Sequence, residues 1–186
     1  MSKGRLVVIS APSGAGKTTI IRRLQQDGSQ WRFSVSATTR PRRSTEVDGE
    51  DYHFLSEPEF DADLAQGKFI EWEWVHGQRY GTLRASLESA VAEGRTLLLD
   101  VDVKGAVNIM RSYPEQSLGI FIDPPDMETL TERLKTRASD DPQRIAVRLE
   151  RLPEELAYKP KFDYVVVNDD LDQAVDRIRN IIRETA

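Results

Sequence analysis

Two rhythms of apolar and polar positions alternate along this chain. RLVVIS (Arg5–Ser10) is a short, nearly continuous apolar run, which predicts a buried strand. TTIIRRLQQDG has helical spacing and stops at Gly28. FSVSA (Phe33–Ala37) alternates like a strand, and the polar, turn-rich TTRPRRSTEVDGEDY follows it. SEPEFDADLAQG predicts a helix with Ser56 as N-cap, Glu59 three residues on and Gly67 past the end. FIEWEWV (Phe69–Val75) is β-like; strict alternation would put Ile70, Trp72 and Trp74 on one face, and Phe69, Glu71, Glu73 and Val75 on the other. Thr82–Gly94 reads as a helix, TLLLDVD (Thr96–Asp102) as a strand buried on both faces, and Lys104–Arg111 as a helix. LGIFIDPP (Leu118–Pro125) is another buried strand. Met127–Tyr158 is helical with an interruption near RASDDP (Arg137–Pro142). YVVVN (Tyr164–Asn168) is a last buried strand, and Asp170 caps an amphipathic C-terminal helix.

Strands alternating with helices indicate an α/β fold with a parallel sheet flanked by helices. Two segments break the rhythm. Residues 34–81 read as a small β-rich insertion, and residues 126–155 add helix without strand, as a lid or flap would. The core domain is then 1–33, 82–125 and 156–186. No internal repeat or low-complexity tract is visible.

Composition narrows the chemistry. The 186 residues are 39% hydrophobic and 31% charged, which is ordinary for a globular protein and enough for one domain with a sizeable core. There is no cysteine, so disulfides, thiolate catalysis and cysteine-based zinc sites are excluded. No apolar run is long enough for a membrane helix, and the N-terminal run is too short for a signal peptide, so a cytoplasmic location is expected. The net charge of −5 gives no global attraction to nucleic acid or membrane. An anionic ligand therefore needs locally clustered arginine and lysine.

The stretch SAPSGAGKTT (Ser10–Thr19) supplies part of such a cluster. It departs from G-x-x-x-x-G-K-[ST] only at its first position, where Ala11 stands for glycine. A residue before proline favours extended geometry with negative φ, which alanine adopts without strain, and Pro12 has no N–H to donate. The motif lies where a phosphate loop belongs, after a buried strand and opening a helix. There the amides around Ser13, Gly14, Ala15, Gly16, Lys17, Thr18 and Thr19 can point at one anion, with the helix dipole behind them. Lys17 would reach the β- and γ-phosphates of a bound nucleotide. Thr18 would hold Mg²⁺ together with Asp100, the carboxylate that ends TLLLD.

What accepts a phosphate is less direct. Arg40, Arg42 and Arg43 crowd one turn, with Tyr52 close behind; that is either a second anion site or a solvated surface turn. The strand FIEWEWV carries Glu71 and Glu73, which are either functional or simply solvated. The joint pattern resolves this by resemblance. SVSATTRPRR, GEDYHFLS, the EF at Glu59-Phe60, FIEW, VHG, YGT, LLLDVDVKG and VVVND resemble, in order and spacing and over nearly the whole chain, the guanylate kinases.

The resemblance implies a P-loop nucleoside monophosphate kinase that moves phosphate from ATP to GMP, and to dGMP, with Mg²⁺. By position, Arg40, Arg43, Tyr52 and Tyr80 match the family's GMP-phosphate ligands, and Ser36, Glu71, Thr82 and Asp102 its guanine-reading residues. Arg137 and Arg148 match lid arginines that act on the triphosphate together with Lys17 and Arg40, and Asn168 matches a residue near adenine. There are departures beside these positions: Lys104 where glutamine is common, Arg79 where an aromatic often precedes Tyr80, Ser44-Thr45 for a small-Gly pair, and Arg-Ala-Ser at Arg137 for a more usual Arg-Gly-Thr. The guanine edge offers two adjacent donors that one carboxylate can accept together, which suits Glu71 or Asp102. His53 and His76 read as structural or surface residues. Two other readings keep the fold: a kinase for another small phosphorylated acceptor, such as a ribose phosphate, and a non-catalytic domain that binds protein partners. The Ser36, Glu71 and Thr82 set argues against the first, and the intact Gly14, Gly16, Lys17, Thr18 and Asp100 against the second. Partners are thus ATP and GMP, not nucleic acid or membrane, with the oligomeric state left open.

Overall fold

The computed structural model describes residues 4–26, 31–75, 77–135 and 142–185. In chain order the strands are β1 (Arg5–Ser10), β2 (Arg32–Phe33), β3 (Ala37–Thr38), β4 (His53–Phe54), β5 (Phe69–Val75), β6 (Gln78–Leu83), β7 (Thr96–Asp100), β8 (Ser117–Asp123) and β9 (Tyr164–Val167). The helices are α1 (Lys17–Gln26), α2 (Glu57–Ala65), α3 (Arg84–Ala92), α4 (Val103–Ser112), α5 (Met127–Lys135), α6 (Pro142–Ala157) and α7 (Leu171–Glu184).

The strands form two sheets. One is fully parallel, in the order β2-β7-β1-β8-β9, and the other is mixed, in the order β4-β3-β6-β5. The apolar runs explain the centre of the first. Leu6 to Ile9 and Leu97 to Leu99 are buried because helices cover both faces of a parallel sheet. One face packs Val7, Ile9, Leu98 and Ile120 with Ile20, Leu24 and the C-terminal helix residues Ile178 and Ile182. The other packs Leu6, Val8, Leu99 and Phe121 with Leu87 and Ile109. Ser56 and Glu59 form the expected capping box on α2, and Asp170 caps α7 by accepting the Gln173 N–H at 2.9 Å.

Four local expectations change. FSVSA is not one strand. Phe33 closes β2 in the parallel sheet and Ala37 opens β3 in the other, so the chain crosses between sheets at residues 34–36. Thr82 and Leu83 are strand, not helix, because they continue the β5–β6 ladder before α3 begins at Arg84. YVVV is an edge strand with Tyr164 and Val167 exposed, since it pairs with β8 on one side and is last in the order of the described strands. The strict alternation of FIEWEWV fails at a β-bulge: Phe69 pairs with Leu83 and Glu71 with Thr82, leaving Ile70 extra. Phe69 and Trp72 therefore share the face that packs on Phe60, with ring centroids 4.5 and 6.2 Å away. Ile70 goes with the opposite core cluster.

Arg79, the departure before Tyr80, is a buried staple of the small sheet. Its guanidinium carbon lies 4.6 Å from the Phe60 ring centroid and 5.7 Å from that of Trp74. It donates to Asp61 Oδ1 at 2.5 Å and pairs with Glu57. The flat cation thus does the packing work of an aromatic ring and also ties down the start of α2. Arg79→Ala is expected to cost about 1–3 kcal/mol of stability, mostly as lost packing, because Glu57 and Asp61 are left in water rather than buried. Arg79→Tyr should recover more of it than Arg79→Lys, which restores only charge. Denaturant titration of the three variants checks this order.

Candidate active site

The phosphate loop joins β1 to α1, and its two glycines have a backbone reason. Gly14 and Gly16 sit at φ of +91° and +94°, a region side chains rarely adopt. Space agrees: a Cβ on Gly14 would meet Leu134 of α5 at 2.9 Å, and one on Gly16 would collide with the Asn168 amide. Ala11 is buried in the core behind the loop, as a small apolar residue can be. Asn168 is buried too, and its Nδ2 donates to Ala15 O at 2.7 Å. In this structure Asn168 braces the loop from below. Ser13 donates its backbone N–H to Glu155 Oε2 of α6 at 2.9 Å. Burial pushes the Glu155 carboxyl above its usual range, with the Ser13 N–H bond opposing. Thr18 and Thr19 are exposed at the head of α1.

Lys17 turns back to the end of β7, forming an ion pair with Asp100 and donating to Val101 O at 3.0 Å. Both partners remain about one-fifth exposed, so the pair sits at a mouth rather than in the core. Lys17, Asp100 and Thr18 line a cavity of about 210 Å³ whose far wall carries Glu71, Thr82 and Asp102, with Ser36, Tyr52 and Tyr80.

That far wall is built by the bulged strand and by the start of α4. Thr82 donates its hydroxyl to Glu71 Oε1 across the β5–β6 ladder. Glycine at 105 makes room for Glu71, since a Cβ there would run into its carboxylate. Asp102 caps α4, its Oδ1 accepting the Gly105 N–H at 2.7 Å, which fixes the carboxylate at the cavity wall. Burial pushes the Glu71 carboxyl up to about 7; the Thr82 hydroxyl bond opposes this, and the neighbouring charges of Asp102 and Glu73 add to it.

A second cavity, of about 370 Å³, shares Thr18, Tyr52, Tyr80 and Asp100 with the first and adds Arg40 and Arg43. The arginine turn is organised by Glu46, which no sequence pattern singled out. Arg40 donates bidentately to Glu46 at 2.7 and 3.0 Å, Arg43 donates its N–H to the same carboxylate at 2.8 Å, and Arg42 donates to the Glu46 carbonyl at 3.3 Å. Burial disfavours a charge on Glu46, yet the Arg40 guanidinium and the Arg43 N–H hold its carboxyl below the usual range. Tyr52 and Tyr80 meet edge to face, with centroids 5.9 Å apart, and the Arg40 guanidinium carbon lies 5.4 Å from the Tyr52 ring centroid. Burial pushes the Tyr52 hydroxyl well above its ordinary pKa, so it stays a proton donor.

Of the residues singled out from the sequence, Lys17, Thr18, Ser36, Tyr52, Glu71, Tyr80, Thr82, Asp100 and Asp102 meet in one cavity, with Arg40 and Arg43 in the adjoining one. Arg148 lies on α6. Arg137 and His76 fall outside the described residues. Lys104 pairs with Glu154 of α6 at 2.8 Å, a bond that raises its pKa. Lys104→Gln is accordingly expected to change turnover by less than about tenfold, under about 1.4 kcal/mol. Steady-state kinetics at saturating ATP check this, and a thousandfold loss would make Lys104 part of the chemistry.

A glycine-rich phosphate loop at the head of a parallel sheet, a carboxylate ending the neighbouring strand and a second, arginine-lined pocket facing it define a P-loop nucleotide-binding protein. The family described as Guanylate kinase matches residues 3–185. A guanylate kinase of Chlorobium luteolum is 50% identical over 175 residues, 94% of this chain and 89% of the relative. One of Thermotoga maritima is 44% identical over 181 residues, 97% of this chain and 87% of the relative. The crystal structure of guanylate kinase from Anaplasma phagocytophilum superposes with a TM-score of 0.79 at 34% identity, covering 100% of this chain and 87% of that one. The chain belongs to the guanylate kinase family.

Proposed function

We infer that this protein transfers the γ-phosphoryl group of ATP to GMP, giving ADP and GDP, the reaction its family membership carries. The observation that most supports the site assignment is the meeting of two halves in one cavity: Lys17 and Asp100 on the loop side, Glu71, Thr82 and Asp102 on the other. A nucleotide base held by the second half would direct its phosphate towards Arg40, Arg43, Tyr52 and Tyr80, and so towards the loop.

The chemistry asked of these residues is positioning and charge neutralisation. No general base is required, because the attacking oxygen belongs to a monophosphate already ionised at neutral pH. Glu71, ionised, would accept the guanine N1–H and one hydrogen of the exocyclic amine, Asp102 would take a further amine hydrogen, and Ser36 or Thr82 would serve the carbonyl. Arg40, oriented by Glu46, and Arg43 would hold the acceptor phosphate. Lys17 would leave Asp100 for the transferring phosphate. Arg148, and Arg137 with it, would add charge from the lid, and the insertion and lid would close around both nucleotides to exclude water.

Thr18 and Asp100 both line the wall where the two cavities meet, a hydroxyl and a carboxylate of the hard-oxygen type that Mg²⁺ takes along with phosphate oxygens and water. Held there with ATP, the ion would supply charge neutralisation on the triphosphate. No helix among the described residues is long and apolar enough to cross a membrane.

The test is ADP formation from ATP with GMP, AMP and ribose 5-phosphate offered separately. GMP alone should support rapid turnover. Equal rates with a ribose phosphate would move the acceptor assignment to a different compound, and ATP- and GMP-dependent inactivity would favour a binding role.

A further inference from the structure

Glu73 lines the acceptor cavity beside Glu71 and Asp102, and the reaction as proposed does not use it. Its place is set by the β5–β6 register, in which Glu71 pairs with Thr82 and Glu73 with Tyr80. Beyond the bulge the strand alternates normally, so Glu71 and Glu73 share a face, about 6.6 Å apart along β5. The rung at Glu71 and Thr82 belongs to the base end of the cavity. The rung at Glu73 and Tyr80 begins the phosphate end, where Tyr80 meets Tyr52 and both border Arg40. In a 5′-nucleotide the ribose joins base to phosphate. A nucleotide with its base on the first rung and its phosphate past the second must carry its sugar across the face that Glu73 presents.

We propose that Glu73 accepts a hydrogen bond from the ribose 2′-hydroxyl of the acceptor nucleotide and so favours the ribonucleotide over its 2′-deoxy counterpart. This rests on the acceptor reading given above. An ionised carboxylate can only accept, and a ribose hydroxyl is a donor that 2′-deoxyribose lacks; acidic residues bind ribose hydroxyls in dinucleotide sites for the same reason. A carboxylate beside an anionic ligand needs compensation, and it is present. Glu73 also borders a third cavity, of about 220 Å³, that carries Lys104 and Arg151. Burial and the Asp102 charge raise the Glu73 carboxyl, while the Lys104 and Arg151 cations pull it back towards the ionised form. Lys104 itself is engaged with Glu154, so it does not sequester Glu73 in an ion pair. Glu73 remains partly exposed, so its carboxylate is open to a ligand.

The experiment is kcat/KM for GMP and dGMP with the intact enzyme, Glu73→Ala and Glu73→Gln, together with calorimetric binding of each nucleotide. The unsubstituted enzyme should prefer GMP by about tenfold, the discrimination of one charge-assisted bond at a partly exposed site. Glu73→Ala should bring the ratio to about one by raising the GMP KM, with kcat and dGMP constants within about twofold, because the bond is made equally in ground and transition states. Glu73→Gln keeps an accepting oxygen without the charge and should retain part of the preference. It carries the test if Glu73→Ala lowers the melting temperature. Equal losses with GMP and dGMP would overturn the proposal and leave Glu73 as a partner of Lys104 and Arg151. An intact enzyme that does not discriminate would overturn it as well. If GMP is turned over well and the ratio ignores residue 73, only this inference fails; if GMP is not phosphorylated at all, the acceptor reading falls with it.

Discussion

Lys17→Ala is expected to lower phosphoryl transfer by at least about 10²-fold, about 3 kcal/mol, while leaving GMP affinity close to normal. The ammonium is the preorganised positive charge of the loop. In the structure it is balanced by Asp100 and Val101 O, and it would be redirected to the transferring phosphate when ATP binds. The proposed acceptor ligands come from other elements: Arg40 and Arg43 from the turn after β3, Glu71 and Thr82 from the β5–β6 hairpin. Their geometry does not depend on Lys17. The substitution leaves Val101 O with the Ser10 hydroxyl at 2.9 Å and leaves Asp100 partly solvated, so the fold should survive. Calorimetric GMP binding beside single-turnover kinetics separates the two effects. Near-normal turnover would mean that the loop does not bind the donor triphosphate.

Glu71→Gln is expected to cost about 2–4 kcal/mol in kcat/KM for GMP, roughly 30- to 1000-fold, with little change for AMP. The substitution keeps the shape but turns one accepting oxygen into a donating NH₂ that faces a guanine donor. A charge-assisted bond is lost and buried donors are left unpaired. AMP presents no such pair of donors, so the ratio of the two is the informative quantity. A pH signature accompanies it. Burial raises the Glu71 carboxyl to about 7, and only the carboxylate accepts both donors, so kcat/KM for GMP should rise with pH through about 7 and level off above it. Glu71→Gln should flatten that limb. Stability runs the other way. A raised carboxyl pKa means the folded state holds a proton that the unfolded chain has released. That contribution is full below the ordinary glutamate value and is lost as pH rises through about 7. Equal losses with GMP and AMP, or an unchanged pH profile, would reduce Glu71 to a structural residue of β5.

The parallel sheet, the phosphate loop and the capping of α2 and α7 were legible in the chain, because each rests on local chemistry; the acceptor half was expected only by resemblance, since arginines in a polar turn and glutamates on a strand read equally well as solvated. A continuous apolar run is buried on both faces, G-A-G-K-T opens a helix after a strand, and Ser56 with Glu59 closes a capping box within four residues. What only the tertiary structure decided depends on contacts between residues far apart in sequence. The bulge at Ile70 comes from the pairing of β5 with β6, and it sets which face Glu71 presents. No period-two reading could find it, because the extra residue is itself apolar. Glu46 was invisible because a glutamate in a polar turn reads as solvated until the turn folds it under Arg40. Val167 reads as core by composition and is exposed by topology, since being last in the strand order is a property of the sheet and not of the residue. Asn168 donates to Ala15 O across 153 residues of chain, and Lys104 pairs with Glu154 of α6. Side-chain type specified what each group could do; the partners that the fold brings within hydrogen-bonding distance specified what it does.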